Sequence, residues 1–414
     1  MQVIYNLGIS ITQMVLKVFS RFNHKIKLGV DGRKETFNTL RNHISKTDKT
    51  LWFHCASLGE FEQGLPVFKE LRKLHPSYKI VLTFFSPSGY EIRKNTDIAD
   101  VVVYLPLDTK ANAIKFLDLV HPELTIFVKY DIWPNVLNEI KKRELKIVLI
   151  SALFRENQIY FQLYGGFMKK ALFAFHHIFT QDENSKMLLE SIGYNHLSVS
   201  GDTRFDRVYS QLEQDNTLDF IAQFKNNQIC VVAGSTWPED EKFLVDYINS
   251  LETESVKFII APHNIKTVQI QRLKQAISKK TILFSEKNSS DISTSQVLIL
   301  DTIGLLSRVY SYANIAYVGG AVGKTGLHNT LEPAIFAIPI VIGDRFDNFP
   351  EAKAMIKNQG MFTIKSSEEL AKNMDKLINN KTLRESSGQN NLNYIQNNRG
   401  AIIQIMTYLS EIKG

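Results

Sequence analysis

Only two cysteines, Cys55 and Cys230, occur in the chain, too far apart in sequence to form a metal knuckle. Two thiols in 414 residues fit a reducing compartment, which places the globular part in the cytoplasm. His-Glu-x-x-His and Asp-x-Asp are both missing. The patterns that hold zinc, or Mg2+ against a sugar nucleotide, are therefore absent, and a mechanism without metal or other cofactor is expected. No Gly-x-Gly-x-x-Gly follows the first strand pattern, which weakens a nicotinamide dehydrogenase reading. A formal net charge of +7 is by itself a weak case for nucleic acid, and none is expected as a partner. No internal repeat or low-complexity tract is present, and nothing in the composition points to disorder.

The positive excess is concentrated at the start. Between Met1 and Lys34, the six cations Lys17, Arg21, Lys25, Lys27, Arg33 and Lys34 face only Asp31, giving +6 − 1 = +5. In the same stretch Ile4, Leu7, Ile11, Met14, Val18 and Phe22 recur at three- or four-residue steps, opposite Gln2, Asn6, Ser10, Gln13, Lys17, Ser20 and Arg21. This is the pattern of an amphipathic helix. An apolar face with basic flanks can lie in the headgroup layer of an anionic membrane, while packing on the chain's own domain is the alternative. Val3 to Leu16 carries no charge, but Asn6, Ser10, Thr12 and Gln13 make it a poor transmembrane span. No charged segment precedes the apolar run and no clear small-residue cleavage site follows, so it does not read as a secretory signal. A helix lying on the membrane is the preferred reading.

A chain of this length with 44% hydrophobic residues exceeds what one core usually supports. From Thr50 onward short apolar runs alternate with helical patterns: Leu51–Ala56, Lys79–Phe84, Val101–Leu105, Leu124–Val128, Lys146–Ile150, His177–Thr180 and Leu197–Ser200. A second series follows at Ile229–Ala233, Val256–Ala261, Ile282–Phe284, Val297–Leu300, Ile315–Val318 and Pro339–Ile342. Runs of this kind read as buried parallel strands in two βα-alternating halves. The break is expected between Gly201 and Asn227. The predicted organisation is a membrane-associated helix with a basic flank over 1–34, a Rossmann-like domain over 35–210, a second over 211–388, and a C-terminal helix over 389–414 packing back on the first. In the last segment Leu392, Ile395, Ile402, Ile405, Met406 and Leu409 follow mostly helical spacing. Two doubly wound domains facing each other would leave a cleft at the carboxyl ends of both sheets, where ligands of this class bind.

Three motifs could carry chemistry. Ser57-Leu58-Gly59-Glu60 follows the first strand and opens a helix. Its spacing is that of a capping box, in which Ser57 and Glu60 occupy free backbone donors. Alternatively Glu60 faces the cleft and takes a proton from an attacking hydroxyl; a carboxylate bonded to its own N-cap is poorly placed to do so. Gly319-Gly320-Ala321-Val322-Gly323-Lys324-Thr325-Gly326 misses a P-loop by one residue, since Val318 stands where the first glycine is needed. Phosphate contact and a plain turn both remain open for this loop. His328-Asn329-Thr330-Leu331-Glu332-Pro333 then starts a helix. There Asn329 or Thr330 caps and Glu332 complements the dipole, or Glu332 accepts from a ribose diol.

Taken together, Trp52-Phe53-His54-Cys55-Ala56-Ser57-Leu58-Gly59-Glu60-Phe61-Glu62, Trp133-Pro134-Asn135, Gly201-Asp202-Thr203-Arg204-Phe205-Asp206-Arg207, Ala233-Gly234-Ser235-Thr236 and His328-Asn329-Thr330-Leu331-Glu332-Pro333-Ala334 resemble the 3-deoxy-D-manno-octulosonic acid (Kdo) transferase family. Each is weak alone; five in order across nearly the whole chain are specific. The resemblance implies an α/β chain of two facing Rossmann-like domains, the GT-B glycosyltransferase fold. It implies inverting, metal-independent transfer of Kdo from CMP-Kdo to a lipid A precursor (lipid IVA) in lipopolysaccharide core biosynthesis. The expected partners are CMP-Kdo, the lipid A precursor and the anionic membrane surface, and the expected location is the cytoplasmic face of the cell inner membrane.

By the same resemblance Glu60 takes the position of the general base, Arg204 that of a basic residue stabilising the transition state, and Asp131 that of an acidic one. CMP contacts fall at Pro262 and His263, at Ile303, Gly304 and Leu305, and at Asn329, Thr330, Leu331 and Glu332. The chain departs from the family pattern at Lys129, where Glu is usual, and at Asp131, shorter than the usual Glu. It departs again at His263, where Arg is common, and at Lys324-Thr325-Gly326-Leu327 in place of Pro-His-Gly-Gly. A UDP-sugar transferase, a P-loop nucleotide hydrolase or kinase and a non-catalytic nucleotide-sugar-binding protein are the rival readings of the residues.

Overall fold

The computed structural model describes residues 2–288 and 291–412. The chain divides into two compact units: the first runs through Asp206 and resumes at Arg399, and the second is Arg207–Asn398. The outer ends of the segments predicted over 1–34 and 389–414, at Met1 and at Lys413 and Gly414, lie outside the described residues.

The first unit begins with α1 (Gln2–Phe19) and α2 (His24–His43). Its sheet comprises β1 (Thr50–Cys55), β2 (Lys79–Phe84), β3 (Val101–Tyr104), β4 (Leu124–Val128), β5 (Lys146–Ala152), β6 (His177–Thr180) and β7 (Leu197–Val199). All pair in parallel, in the order β3-β2-β1-β4-β5-β6-β7. Between strands, α3 (Leu58–Leu74) follows β1 and α4 (Pro134–Lys142) follows β4. Parallel strands covered on both faces must be apolar on both, and β1 and β4 are buried at every residue. One core cluster holds Trp52, Phe116, Phe127 and Leu149, the other Phe53, Phe68, Leu82 and Ile126. Alternate residues of one strand thus serve opposite faces.

The second unit repeats the plan. Strands β8 (Ile229–Thr236), β9 (Val256–Pro262), β10 (Thr281–Leu283), β11 (Val297–Ile299), β12 (Ile315–Val318), β13 (Ile340–Gly343) and β14 (Met361–Ile364) form a parallel sheet in the order β10-β11-β9-β8-β12-β13-β14. Helix α5 (Pro238–Ser250) follows β8. The unit closes on α6 (Lys381–Asn398), whose buried Asn391 donates to the carbonyls of Ile338 and Gly360, both at 2.8 Å. The edge strand β14 escapes sequence reading because it is four residues long and only its ends are buried.

Two predicted segments differ in detail. The 34/35 boundary falls inside α2, which continues to His43 because Thr36 and Leu40 are buried under the first sheet. The basic flank is therefore helical, and partly committed: Lys27 and Lys34 each lie 2.7 Å from Asp31. Arg33 donates to the carbonyls of Leu105, Gly29 and Phe85. The apolar pattern over 389–414 belongs to two helices. Ile395 is buried in α6 of the second unit, whereas Ile405 and Leu409 lie in α7 (Ala401–Glu411) and pack on the first sheet. Gly400, at φ +114°, makes the break, and Asp206 accepts its N–H at 2.8 Å.

Helix α1 buries none of its side chains. Ile4, Leu7, Ile11, Met14 and Val18 are all at least half exposed. Its ties to the unit come from Tyr5, which donates to Asp108 at 2.8 Å, and Asn6, which accepts from Asn135 at 2.9 Å. No helix among the described residues is long and apolar enough to cross a membrane.

Candidate active site

In an open parallel sheet the ligand crevice lies outside the carboxyl ends, where the strand order reverses. In the first sheet that point lies between β1 and β4, which pair directly from Leu51↔Leu124 to His54↔Phe127. Glu60 leaves the end of β1, and Lys129 and Asp131 leave the end of β4.

Ser57 is the N-cap of α3, but its side chain makes no bond to the helix backbone. Its hydroxyl donates instead to the Glu60 carboxylate. The capping box expected from the spacing is thus not formed: the partner of Ser57 is the acid itself. Glu60, its side chain 12% exposed, also lies 3.9 Å from the Lys129 ammonium. Lys129 has φ +73° and gives its N–H to Ile150 at 2.9 Å. Such a conformation costs about 1–3 kcal/mol for a side-chain-bearing residue and is typical of functional turns. Two residues on, Asp131 bonds to His54, which is fully buried.

Arg204 is placed through contacts to α3 and β5. Asp202 accepts from its backbone N–H at 2.9 Å and from its Nε at 2.8 Å. The Gln63 amide reaches the same carboxylate at 3.5 Å. Thr203, fully buried, donates to the Gln63 carbonyl at 2.5 Å and lies 2.9 Å from Ser151 Oγ. Ser151 adopts φ +52° where the β5–β6 register shifts, so a bulge aims this anchor. Gln63 is one turn beyond Glu60, so both belong to one face of α3.

In the second unit the order reverses between β8 and β12. Pro262 ends β9 and His263 follows it. Ile303, 81% exposed, and Gly304, at φ +87°, precede the short helix Leu306–Val309 with Leu305 as its N-cap. Asn329, Thr330, Leu331 and Glu332 start the short helix Leu331–Ala334. Thr330 is its N-cap, and just before it Asn329 accepts Leu331 N–H at 3.1 Å and donates to Glu332 at 3.0 Å. Glu332 also lies 3.4 Å from Arg207. His263 stacks on Trp237 with ring centres 4.5 Å apart, and its ring centre lies 4.6 Å from that of His328. Trp237 Nε1 donates to His328 Nε2 at 3.0 Å. Burial, with His263 adding, pulls His328 down to about 4, so its ring is neutral at neutral pH and free to accept.

The glycine loop turns inward on a carboxylate. Asp240, fully buried, accepts from Gly320 N–H and Trp237 N–H at 2.9 Å each and from Tyr317 Oη at 2.7 Å. A Cβ on Gly319 would lie 2.4 Å from the Ser235 carbonyl oxygen, and one on Gly320, at φ +99°, 2.0 Å from that of Gly326. These glycines serve close backbone packing, and the Gly320 donor that a phosphate could have used is occupied by an acid. Lys324 is exposed.

Beside it, burial pushes Glu241 up to about 7 despite the hydroxyl of Thr236 at 3.1 Å. A folded-state value above the unfolded one means the fold binds that proton more tightly. This contribution is complete below the unfolded value near 4.5 and is lost as pH rises through about 7. Glu241→Gln is therefore expected to exceed the wild type by about 2–3 kcal/mol at pH 8 and to match it at pH 4. Urea denaturation at the two pH values checks this; an equal difference at both would place the carboxylate in water.

Residues 31–207 match the family model of the 3-deoxy-D-manno-octulosonic-acid transferase (Kdo transferase). The 3-deoxy-D-manno-octulosonic acid transferase of Haemophilus influenzae is 26% identical over 380 residues, 87% of this chain and 86% of that one. The enzyme of the same name from Rickettsia bellii is 26% identical over 388 residues, 90% of this chain and 91% of its own. The chain is thus similar to Kdo transferases over most of its length, and these similarities mark it as a glycosyltransferase.

Solved structures agree on the fold. A UDP-GlcNAc 2-epimerase from Neisseria meningitidis superposes with TM-score 0.59 at 14% identity, covering 87% of this chain and 100% of its own. A glycosyltransferase from Rickettsia africae gives 0.56 at 12% identity, covering 88% and 99%. Each unit is Rossmann-like, and the fold is that of GT-B glycosyltransferases. Sequence reading quoted His54, Trp237 and His328 only within or beside motifs and missed Thr83 and Asp240; an isolated polar residue in a buried strand or first helical turn was the available signal.

Proposed function

We propose that this chain moves Kdo from CMP-Kdo to a sugar hydroxyl of a lipid A precursor, lipid IVA, in lipopolysaccharide core biosynthesis, by a single inverting, metal-independent displacement. The observation that carries the reading is Glu60: a carboxylate at the switch point, accepting from the Ser57 hydroxyl and facing the Lys129 ammonium at 3.9 Å rather than bonded to its own helix backbone. Glu60 takes the proton of the acceptor hydroxyl as its oxygen attacks the anomeric carbon of Kdo, and the bond to the CMP phosphate breaks with inversion. Asp131 accepts from a substrate hydroxyl and Arg204 offsets charge on the departing phosphate. Pro262, His263, Ile303–Leu305 and Asn329–Glu332 hold the nucleotide, with Glu332 toward the ribose. Incubation with CMP-Kdo and a tetraacylated lipid A precursor in EDTA should yield product whose anomeric configuration, read by NMR, is opposite to the donor's. Retention, or a need for added metal, contradicts the mechanism.

The same reading places the chain on the anionic, cytoplasmic face of the inner membrane, with α1 as the contact. Its exposed apolar stripe, with Lys17 and Arg21 alongside, supports this. Ile11→Glu with Val18→Glu removes about 3 kcal/mol of apolar insertion, roughly a hundredfold in partitioning. Both sites are exposed, so the fold should be untouched. Co-sedimentation with phosphatidylglycerol vesicles is the measurement, and unchanged binding would remove α1 from the role.

A further inference from the structure

His54 is the penultimate residue of β1, and its side chain is wholly buried. A buried imidazole in a sheet is costly unless both nitrogens are bonded, and here both are. Its neighbour in register on β2, Thr83, places Oγ1 2.8 Å from Nδ1. That hydroxyl receives the Trp52 indole N–H at 2.8 Å, and its own hydrogen has two acceptors to choose from: Nδ1 at 2.8 Å or the Phe53 carbonyl at 3.3 Å. The shorter contact makes Nδ1 the acceptor. A neutral ring then carries its hydrogen on Nε2, which faces the Asp131 carboxylate. The Trp133 indole nitrogen also lies 3.3 Å from Nε2, but a nitrogen already bearing hydrogen cannot accept, so Trp133 packs there rather than bonds.

The bonds run one way: Trp52 to Thr83, Thr83 to His54, His54 to Asp131. Asp131 sits on the β4–α4 connection, between left-handed Lys129 and the start of α4. Among the described residues, its side chain makes its hydrogen bond to His54 alone. The carboxylate takes this bond on Oδ2, and among the described residues Oδ1 has no hydrogen-bond partner.

We propose that His54 is the positioning residue of this site: its Nε2–H fixes the Asp131 carboxylate so that the second oxygen meets a substrate hydroxyl. The proposal rests on the role given to Asp131 above. His54, being buried, touches no substrate, and all its influence passes through Asp131.

The test compares wild type, His54→Ala, His54→Gln, Asp131→Asn and the His54→Ala/Asp131→Asn double variant for kcat and KM, with melting temperatures to confirm folding. His54→Ala should lower kcat about 10²-fold, as loss of alignment does. His54→Gln should recover most of it, since the glutamine amide can donate from the place of Nε2. The double variant should be no slower than Asp131→Asn, because both act on one group. Losses that multiply, or a glutamine variant as slow as alanine in folded protein, overturn the proposal. Should the alanine variant fail to fold, Thr83→Val, which removes only the hydroxyl setting the tautomer, must show the same non-additivity with Asp131→Asn. If wild type transfers no Kdo, the functional reading fails by itself. The ring 15N spectrum of wild type then decides: an Nε2–H tautomer perturbed by Asp131→Asn upholds the positioning contact, and an Nδ1–H tautomer overturns it.

Discussion

Glu60→Gln is expected to lower kcat for Kdo transfer by about 10²–10⁴-fold, the range lost with a positioned general base, while leaving melting temperature and CMP affinity unchanged. The substitution keeps the shape of the side chain and an oxygen for the Ser57 hydroxyl. What it removes is the ability to take a proton, together with the charge facing Lys129 at 3.9 Å. At 3.9 Å this contact is too long for a hydrogen bond, and the Ser57 bond is kept, so the effect should appear in turnover alone. Stopped-assay kinetics at saturating donor and acceptor, beside titration of CMP, separate the two. A variant that turns over normally would return Glu60 to a structural role, and one that loses CMP binding would show that the acid holds the donor.

The largest expected loss of stability lies in the second unit. Asp240→Ala should cost about 3–5 kcal/mol, because it strands three buried donors at once: Gly320 N–H, Trp237 N–H and Tyr317 Oη. Asp240→Asn should cost much less. Its amide oxygen can receive the two backbone N–H groups while its nitrogen donates to Tyr317. Guanidinium denaturation of the three proteins gives the ranking directly. If alanine and asparagine are equally tolerated, the glycine loop is not held by this carboxylate.

Much of the fold is legible in the sequence because parallel strands buried on both faces leave unbroken apolar runs, as at Leu51–Ala56 and Leu124–Val128. β14 is not legible, since four residues at a sheet edge with only partly buried centres carry no such run. The break at Gly400 is hidden for a different reason: helical spacing continues across it, and only the left-handed turn separates α6 from α7. Within the site, position in sequence marks Glu60 and Arg204 but not what holds them. The spacing of Ser57 and Glu60 fits a capping box, but the hydroxyl turns to the acid, which also faces Lys129, sixty-nine positions away and out of reach of any local pattern. Likewise His54 acquires meaning only once β1 and β2 pair and bring Thr83 beside it. For the glycine loop the sequence leaves phosphate contact and a plain turn both open; Asp240, eighty positions earlier, occupies its Gly320 donor.

The central claim is tested most directly by mass-resolved transfer: wild-type protein, a tetraacylated lipid A precursor, and either CMP-Kdo or a UDP-sugar as donor. The account predicts a product heavier by whole Kdo units from CMP-Kdo alone, with its formation inhibited by CMP and not by UDP. Product from the UDP-sugar, or no Kdo adduct from a folded protein that binds CMP, would contradict it.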